Sequence, residues 1–133
     1  MTFDLTTIRV FAHLLGVTVW IGGQIVLVAL LPVLRGLGED APRLAARRFG
    51  ALAWPFFALV VVTGVWNLLE IDVADRSVGY HATLGIKLLL VALSGVAAFV
   101  HGMTATPLTR AVTGAAGLVA ALGAMVCGVM MVT

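Results

Sequence analysis

His13-Leu-Leu-Gly-Val-Thr-Val-Trp20-Ile-Gly-Gly-Gln24 lies inside an apolar run that extends from Arg9 to Arg35. A run of this length can cross a bilayer, which needs about 20 residues at roughly 1.5 Å of rise each. Yet Arg9, His13 and Gln24 lie within or beside it. On a helix turning about 100° per residue, Arg9, His13, Gly16, Trp20, Gly23 and Gln24 fall on one face. Lipid rejects such a face, so it is expected to look into protein or a wet cavity.

Composition agrees with a membrane chain. Of 133 residues, 62% are hydrophobic and 11% charged, against about 25% charged in soluble domains. The mean hydropathy is +1.15. A single domain over 1–133 is expected, with any site built from residues inside the membrane or at its edges. The net charge of +2 is too small and scattered to suggest nucleic acid as a partner. One cysteine, Cys127, leaves no intramolecular disulfide. The start of the chain lacks the cationic leader and small-residue cleavage site of a signal peptide, so the first helix is expected to be retained.

Hydropathy divides the sequence into four spans, roughly 8–34, 49–69, 82–103 and 111–132. The fold class expected is therefore all-α, an integral membrane four-helix bundle of antiparallel neighbours joined by short loops. The first connection carries Arg35, Arg43, Arg47 and Arg48, whereas the second carries Glu70, Asp72 and Asp75 against Arg76 alone. Counting basic residues puts the first connection in the cytoplasm, Arg110 on the same side, and both termini outside. Within the second span, Trp54-Pro55 is expected to kink the helix. Thr63, Asn67 and Glu70 share a face near the external surface.

In the third span Tyr80, Lys87, Ser94 and His101 recur every seven residues, a single polar stripe running the length of a helix. That stripe is expected to face the bundle interior, opposite the His13 face. Lys87 is deep enough that its ammonium either finds a partner or snorkels toward Glu70, Asp72 or Asp75. The fourth span aligns Thr113, Gly117, Ala121, Ala124 and Gly128, a small-residue face suited to close helix packing, within the chain or in a homo-oligomer. Near its end Cys127, Met130 and Met131 lie within a turn of one another. With this topology His13, Lys87, Asn67 and the sulfur groups share the outer half of the membrane, and His81 sits at the outer edge. His101 stands at the inner edge.

The pattern His13…Trp20-Ile-Gly-Gly, then Arg47-Arg48-Phe49-Gly…Val62-Thr63-Gly64…Leu69, then Tyr80…Leu84…Lys87-Leu-Leu-Leu-Val resembles the copper resistance protein D (CopD) family in a short, four-helix form. The resemblance covers nearly the whole chain. It implies a multi-pass protein of the bacterial inner (plasma) membrane that takes part in copper transport or homeostasis. The chain is more distantly similar to the HemJ-type protoporphyrinogen oxidases, which implies haem binding with His13 as iron ligand and Lys87 as a site residue. It departs from that pattern after the first span, at Val28-Ala-Leu-Leu-Pro32-Val-Leu-Arg35.

Two chemistries follow. Cu(I) prefers thiolate, thioether and imidazole ligands, so the metal candidates are His13, His81, Cys127, Met130 and Met131. A haem b would take His13 as axial ligand and Lys87 or Arg9 against a propionate, with Trp20, Gln24 and Asn67 completing the cofactor-binding candidates. No catalytic residue is assigned, and an enzymatic role enters only as a haem-dependent membrane oxidoreductase. A third reading is an accessory membrane subunit that associates through the fourth helix.

Overall fold

The computed structural model describes residues 4–133. These residues are helical, with no strand among them, and form four helices long and apolar enough to cross a membrane. We label them α1 (Leu5–Leu37), α2 (Ala41–Leu69), α3 (Val78–Met103) and α4 (Pro107–Met130). The chain divides into two compact units, one running through Ile71 and the other Asp72–Thr133. Each unit is an antiparallel helical hairpin. The outward faces carry exposed Leu, Ile, Val and Phe side chains throughout, a surface matched to lipid acyl chains.

The helices overrun the hydropathy limits for local reasons. Asp4 caps α1, its carboxylate accepting from the Thr7 backbone N–H at 2.8 Å and the Thr7 hydroxyl at 3.0 Å. Those two bonds hold its pKa below the ordinary carboxylate value. At the other end of α1 the backbone reaches φ +144° at Gly38, a conformation that only glycine adopts without strain. This reversal lets α2 start at Ala41, with a proline in its first turn where a missing N–H is harmless. The arginine-bearing segment of α2 is thus helical although it is not apolar. Neither Pro32 nor Pro55 ends its helix.

One irregularity lies inside α1. Thr18–Gly22 winds as a single π-turn between two α-helical stretches, Leu5–Val17 and Gly23–Leu37. Such turns depart from the regular i to i−4 ladder, and two side chains bond carbonyls beside this one. The Thr18 hydroxyl donates to the Leu14 carbonyl at 2.8 Å, and the Gln24 amide donates to the Trp20 carbonyl at 2.9 Å.

The face predicted on α1 packs against α2. Gly16 lies on the α2 backbone, so close that an added Cβ would stand 2.7 Å from Val60 Cγ2 and 3.0 Å from the Phe56 carbonyl oxygen. A methyl at Gly23 would overlap the ring of Phe49. Between these two contacts Trp20 is buried against Trp54 and Phe57, with ring centroids 5.5 and 4.4 Å away. Lipid offers no hydrophobic driving force between helices, so close approach and aromatic contact hold this pair together. Each aromatic pair is worth about 0.5–1.5 kcal/mol beyond its buried area.

In the second hairpin the polar stripe of α3 is covered by the small-residue face of α4. Ser94, 1% exposed, lies opposite Gly117, where a Cβ would meet the Ala97 methyl at 3.5 Å. Ala120, Ala121 and Ala124 are buried along the same seam. Within this hairpin the partner of the stripe is α4. The small-residue face, expected to pack within the chain or against a second copy, is engaged within the hairpin. The Ser77 hydroxyl caps α3 by accepting from the Tyr80 N–H at 3.2 Å.

Candidate functional site: a histidine anchored in the first hairpin

The register fixed by Gly16 and Gly23 brings two polar pairs together. His13 Nδ1 lies 2.9 Å from the Thr63 hydroxyl, and Thr63 is 3% exposed. One turn nearer the helix start, Arg9 is 9% exposed and its NH1 lies 3.5 Å from a carboxylate oxygen of Glu70. The second Glu70 oxygen accepts from the Trp66 indole N–H at 3.1 Å. A guanidinium, a carboxylate, an imidazole and a hydroxyl thus line the seam between α1 and α2.

The Thr63 hydroxyl has one hydrogen, which it donates to the Leu59 carbonyl. With that hydrogen so engaged, its oxygen can accept from His13 Nδ1. When it does, the ring's lone pair is on Nε2. Metal-binding histidines are oriented in this way, one ring nitrogen donating to a fixed acceptor while the other is presented as the ligand. Gly64 flanks the ring, 3.5 Å from His13 Cε1 measured to its would-be Cβ.

Arg9 differs from His13 in what is left over. Its Nε is buried and has no hydrogen-bond partner among the described residues. An unmade bond to a buried donor costs about 1–3 kcal/mol and more for a charged group. Glu70 offsets only part of this, because its side chain is 53% exposed and such pairs contribute about 0–1 kcal/mol.

The other candidate residues take varied positions. Trp20 belongs to the aromatic cluster, Gln24 secures the π-turn, and Asn67 is half-buried on α2. Lys87 is half-buried, and its Nζ stands 3.3 Å from the position of a Cβ on Gly128. Its side chain therefore reaches sideways to α4, in electrostatic reach of the Cys127 thiol, with the missing Gly128 side chain making room for it. Cys127 and Met131 are half-buried, and Met130 is 61% exposed. His81 donates from Nδ1 to the Ser77 carbonyl at 3.0 Å within the first turn of α3. His101 donates to the Arg110 carbonyl at 2.8 Å, while the Arg110 guanidinium bonds the Thr104 carbonyl, also at 2.8 Å. Together these bonds lock the turn between α3 and α4. Among the described residues, no three His, Cys, Asp or Glu side chains converge into a group that could hold a metal ion.

The sequence alone did not single out Thr63 and Glu70 as the partners of His13 and Arg9. A signal was present, since Arg9 and His13 are four residues apart and Thr63 and Glu70 seven apart, each pair on one helical face. An antiparallel hairpin can join the two faces. Compared with protein families, curated proteins and solved structures, the chain matches none.

Proposed function

We propose that the chain is a copper-associated protein of the bacterial inner membrane, in which His13 Nε2 is a stopping point for a transported Cu(I) ion. The supporting observation is the Thr63 hydroxyl 2.9 Å from His13 Nδ1, which holds the imidazole in place within a membrane-spanning helix. Cu(I) is the cargo, and a single oriented imidazole suits an ion that must leave again better than a resident centre would. Arg9 would repel a cation, and its pairing with Glu70 reduces that charge.

A second reading, b-type haem binding, is favoured by the Arg9 Nε that lacks an acceptor one turn from His13. The donor set fits such a group: His13 Nε2 would be an axial ligand and Arg9 would receive a propionate carboxylate. Bound there, the haem would supply one-electron chemistry. The residues' own part is orientation, through Thr63 on the imidazole and Glu70 on the guanidinium.

Metal analysis and the visible spectrum before and after dithionite, on detergent-purified protein from copper- and haem-replete cells, distinguish the readings. Copper retained by the wild type and lost in His13→Ala, in a colourless sample, supports the transport reading. A Soret band with reduced α and β bands, lost in the same variant, supports haem. A folded wild-type protein with neither ligand contradicts both and leaves the accessory-subunit role.

A further inference from the structure

Among the described residues Arg9 is the one charged side chain that is buried, and the carboxylate facing it stands where a helix does not favour one. Glu70 follows Leu69, the last helical residue of α2, so its negative charge adds to the negative end of the helix dipole. Two contacts hold it there. The Trp66 indole donates to one oxygen at 3.1 Å, and the Arg9 guanidinium lies 3.5 Å from the other. The second is long beside the roughly 2.7–2.9 Å of a well-formed charge-assisted bond. Glu70 is also 53% exposed and outside the helical ladder, so it can leave Arg9 without unwinding α2.

The charge on this pair reaches His13. Arg9 and His13 are one turn apart on α1, and their partners Glu70 and Thr63 are seven residues apart on α2, about 10 Å of helix. A unit charge about 10 Å away, at an effective dielectric of about 20, shifts the binding of an ion by roughly tenfold. While Glu70 faces Arg9 the pair is close to neutral, and a cation on the imidazole meets little repulsion. Without Glu70 the guanidinium is an unbalanced charge whose Nε already lacks an acceptor among the described residues. That arrangement repels Cu(I) and attracts a carboxylate.

We propose that Glu70 is the specificity-determining residue of the His13 site. Its charge admits a cation, and its carboxylate holds the place on Arg9 that the carboxylate of an apolar, anion-bearing ligand would take. In the ligand-free protein Glu70 orients the guanidinium, and such a ligand binds by displacing it. Trp66 is a positioning residue, acting through the Glu70 oxygen that it holds. This role rests on His13 being a ligand, whether of Cu(I) or of haem iron.

Three titrations of the detergent-purified full chain test it: Cu(I) under a competing chelator, haem, and haem dimethyl ester, whose propionates are blocked. Glu70→Gln keeps the shape and removes the charge. It should weaken Cu(I) binding by about fivefold, solvent having reduced the full effect, and strengthen haem binding by a similar factor. The gain should be absent for the ester. Trp66→Phe should move both affinities in the same directions by less, opposite signs that lost packing alone would not give. In an Arg9→Gln background the haem gain should vanish, since no guanidinium is left to release. Glu39→Gln, exposed in the turn at the other end of the hairpin, should change neither affinity. Helical circular dichroism of each variant confirms that a loss is not unfolding. A wild type that binds one of the two ligands is read on that ligand, with the Cu(I) loss or the haem gain expected. A folded Glu70→Gln protein that binds as the wild type does, when His13→Ala has lost the ligand, would overturn the role of Glu70 and leave His13 as the ligand. Binding unchanged in His13→Ala, or a wild type that binds neither, would overturn both.

Discussion

Gly16→Leu is expected to destabilise the first hairpin by roughly 3 kcal/mol, the upper end of the range for overpacking a filled interface. No rotamer relieves the problem, because the Cβ itself would overlap Val60 Cγ2 and press on the Phe56 carbonyl. The backbone carbonyl cannot rotate away as a side chain can, so the helices must separate. Gly16→Ala should show a smaller loss, since alanine regains about 1 kcal/mol of helix propensity. Gly117→Ala is the matched control: its Cβ would make ordinary contacts at 3.5 Å or more, so propensity should win and stability be kept or slightly raised. Denaturant titration in mixed micelles, followed by circular dichroism, measures all three. Equal effects at Gly16 and Gly117 would remove close approach as the determinant of the α1–α2 pair.

Separation of α1 from α2 carries a second consequence. The His13 and Thr63 contact is one turn from Gly16 and spans the same seam at 2.9 Å. A shift of even about 1 Å moves such a bond beyond useful geometry. Ligand retention is therefore expected to fall together with stability in the Gly16 series, even though Gly16 touches no ligand.

Thr63→Val is expected to lower affinity for the bound metal or haem iron by about 10- to 100-fold, the usual effect of losing the group that orients a histidine ligand. Valine keeps nearly the same volume but cannot accept from Nδ1, so packing at this buried position is preserved while the tautomer is released. The interhelical bond itself contributes only about 0.6 kcal/mol to membrane-protein stability on average. Affinity should thus change far more than folding. Thr63→Ser should restore most of the affinity, because its hydroxyl can donate to the Leu59 carbonyl and accept from His13 in the same way. Equilibrium titration with Cu(I) under a competing chelator, or with haem, reads the effect. Equal affinity in Thr63→Val and wild type would mean that Thr63 does not prepare the ligand.

The sequence showed some of this directly and concealed the rest. Arg9, His13, Gly16, Trp20 and Gly23 were recognisable as one face because polar and glycine positions recur at helical spacing within an apolar run. Their partners were not, since hydropathy carries no information about register. Register is decided by where glycine lets α2 approach and where Phe49 and the Trp20 cluster fill the remaining space. The π-turn was equally hidden, because shifting a backbone hydrogen bond by one residue leaves the pattern of apolar side chains almost unchanged. Lys87 was left between burial and snorkelling for a similar reason. The space that turns its chain sideways is the side chain that Gly128 lacks, on another helix. His81 and His101 could not be told from His13 by residue type. Local bonds to the Ser77 and Arg110 carbonyls give them helix-turn and loop roles that only the backbone path reveals.

The most direct measurement is the nitrogen-15 NMR spectrum of the ligand-free protein labelled at histidine, with His13→Ala used to assign the His13 signals. A protonated Nδ1 and an unprotonated Nε2 on His13, the Nδ1 proton disappearing from that site in Thr63→Val, is the predicted result. A proton on Nε2 in the wild type would place the lone pair against Thr63 and contradict the role of His13 as an oriented ligand.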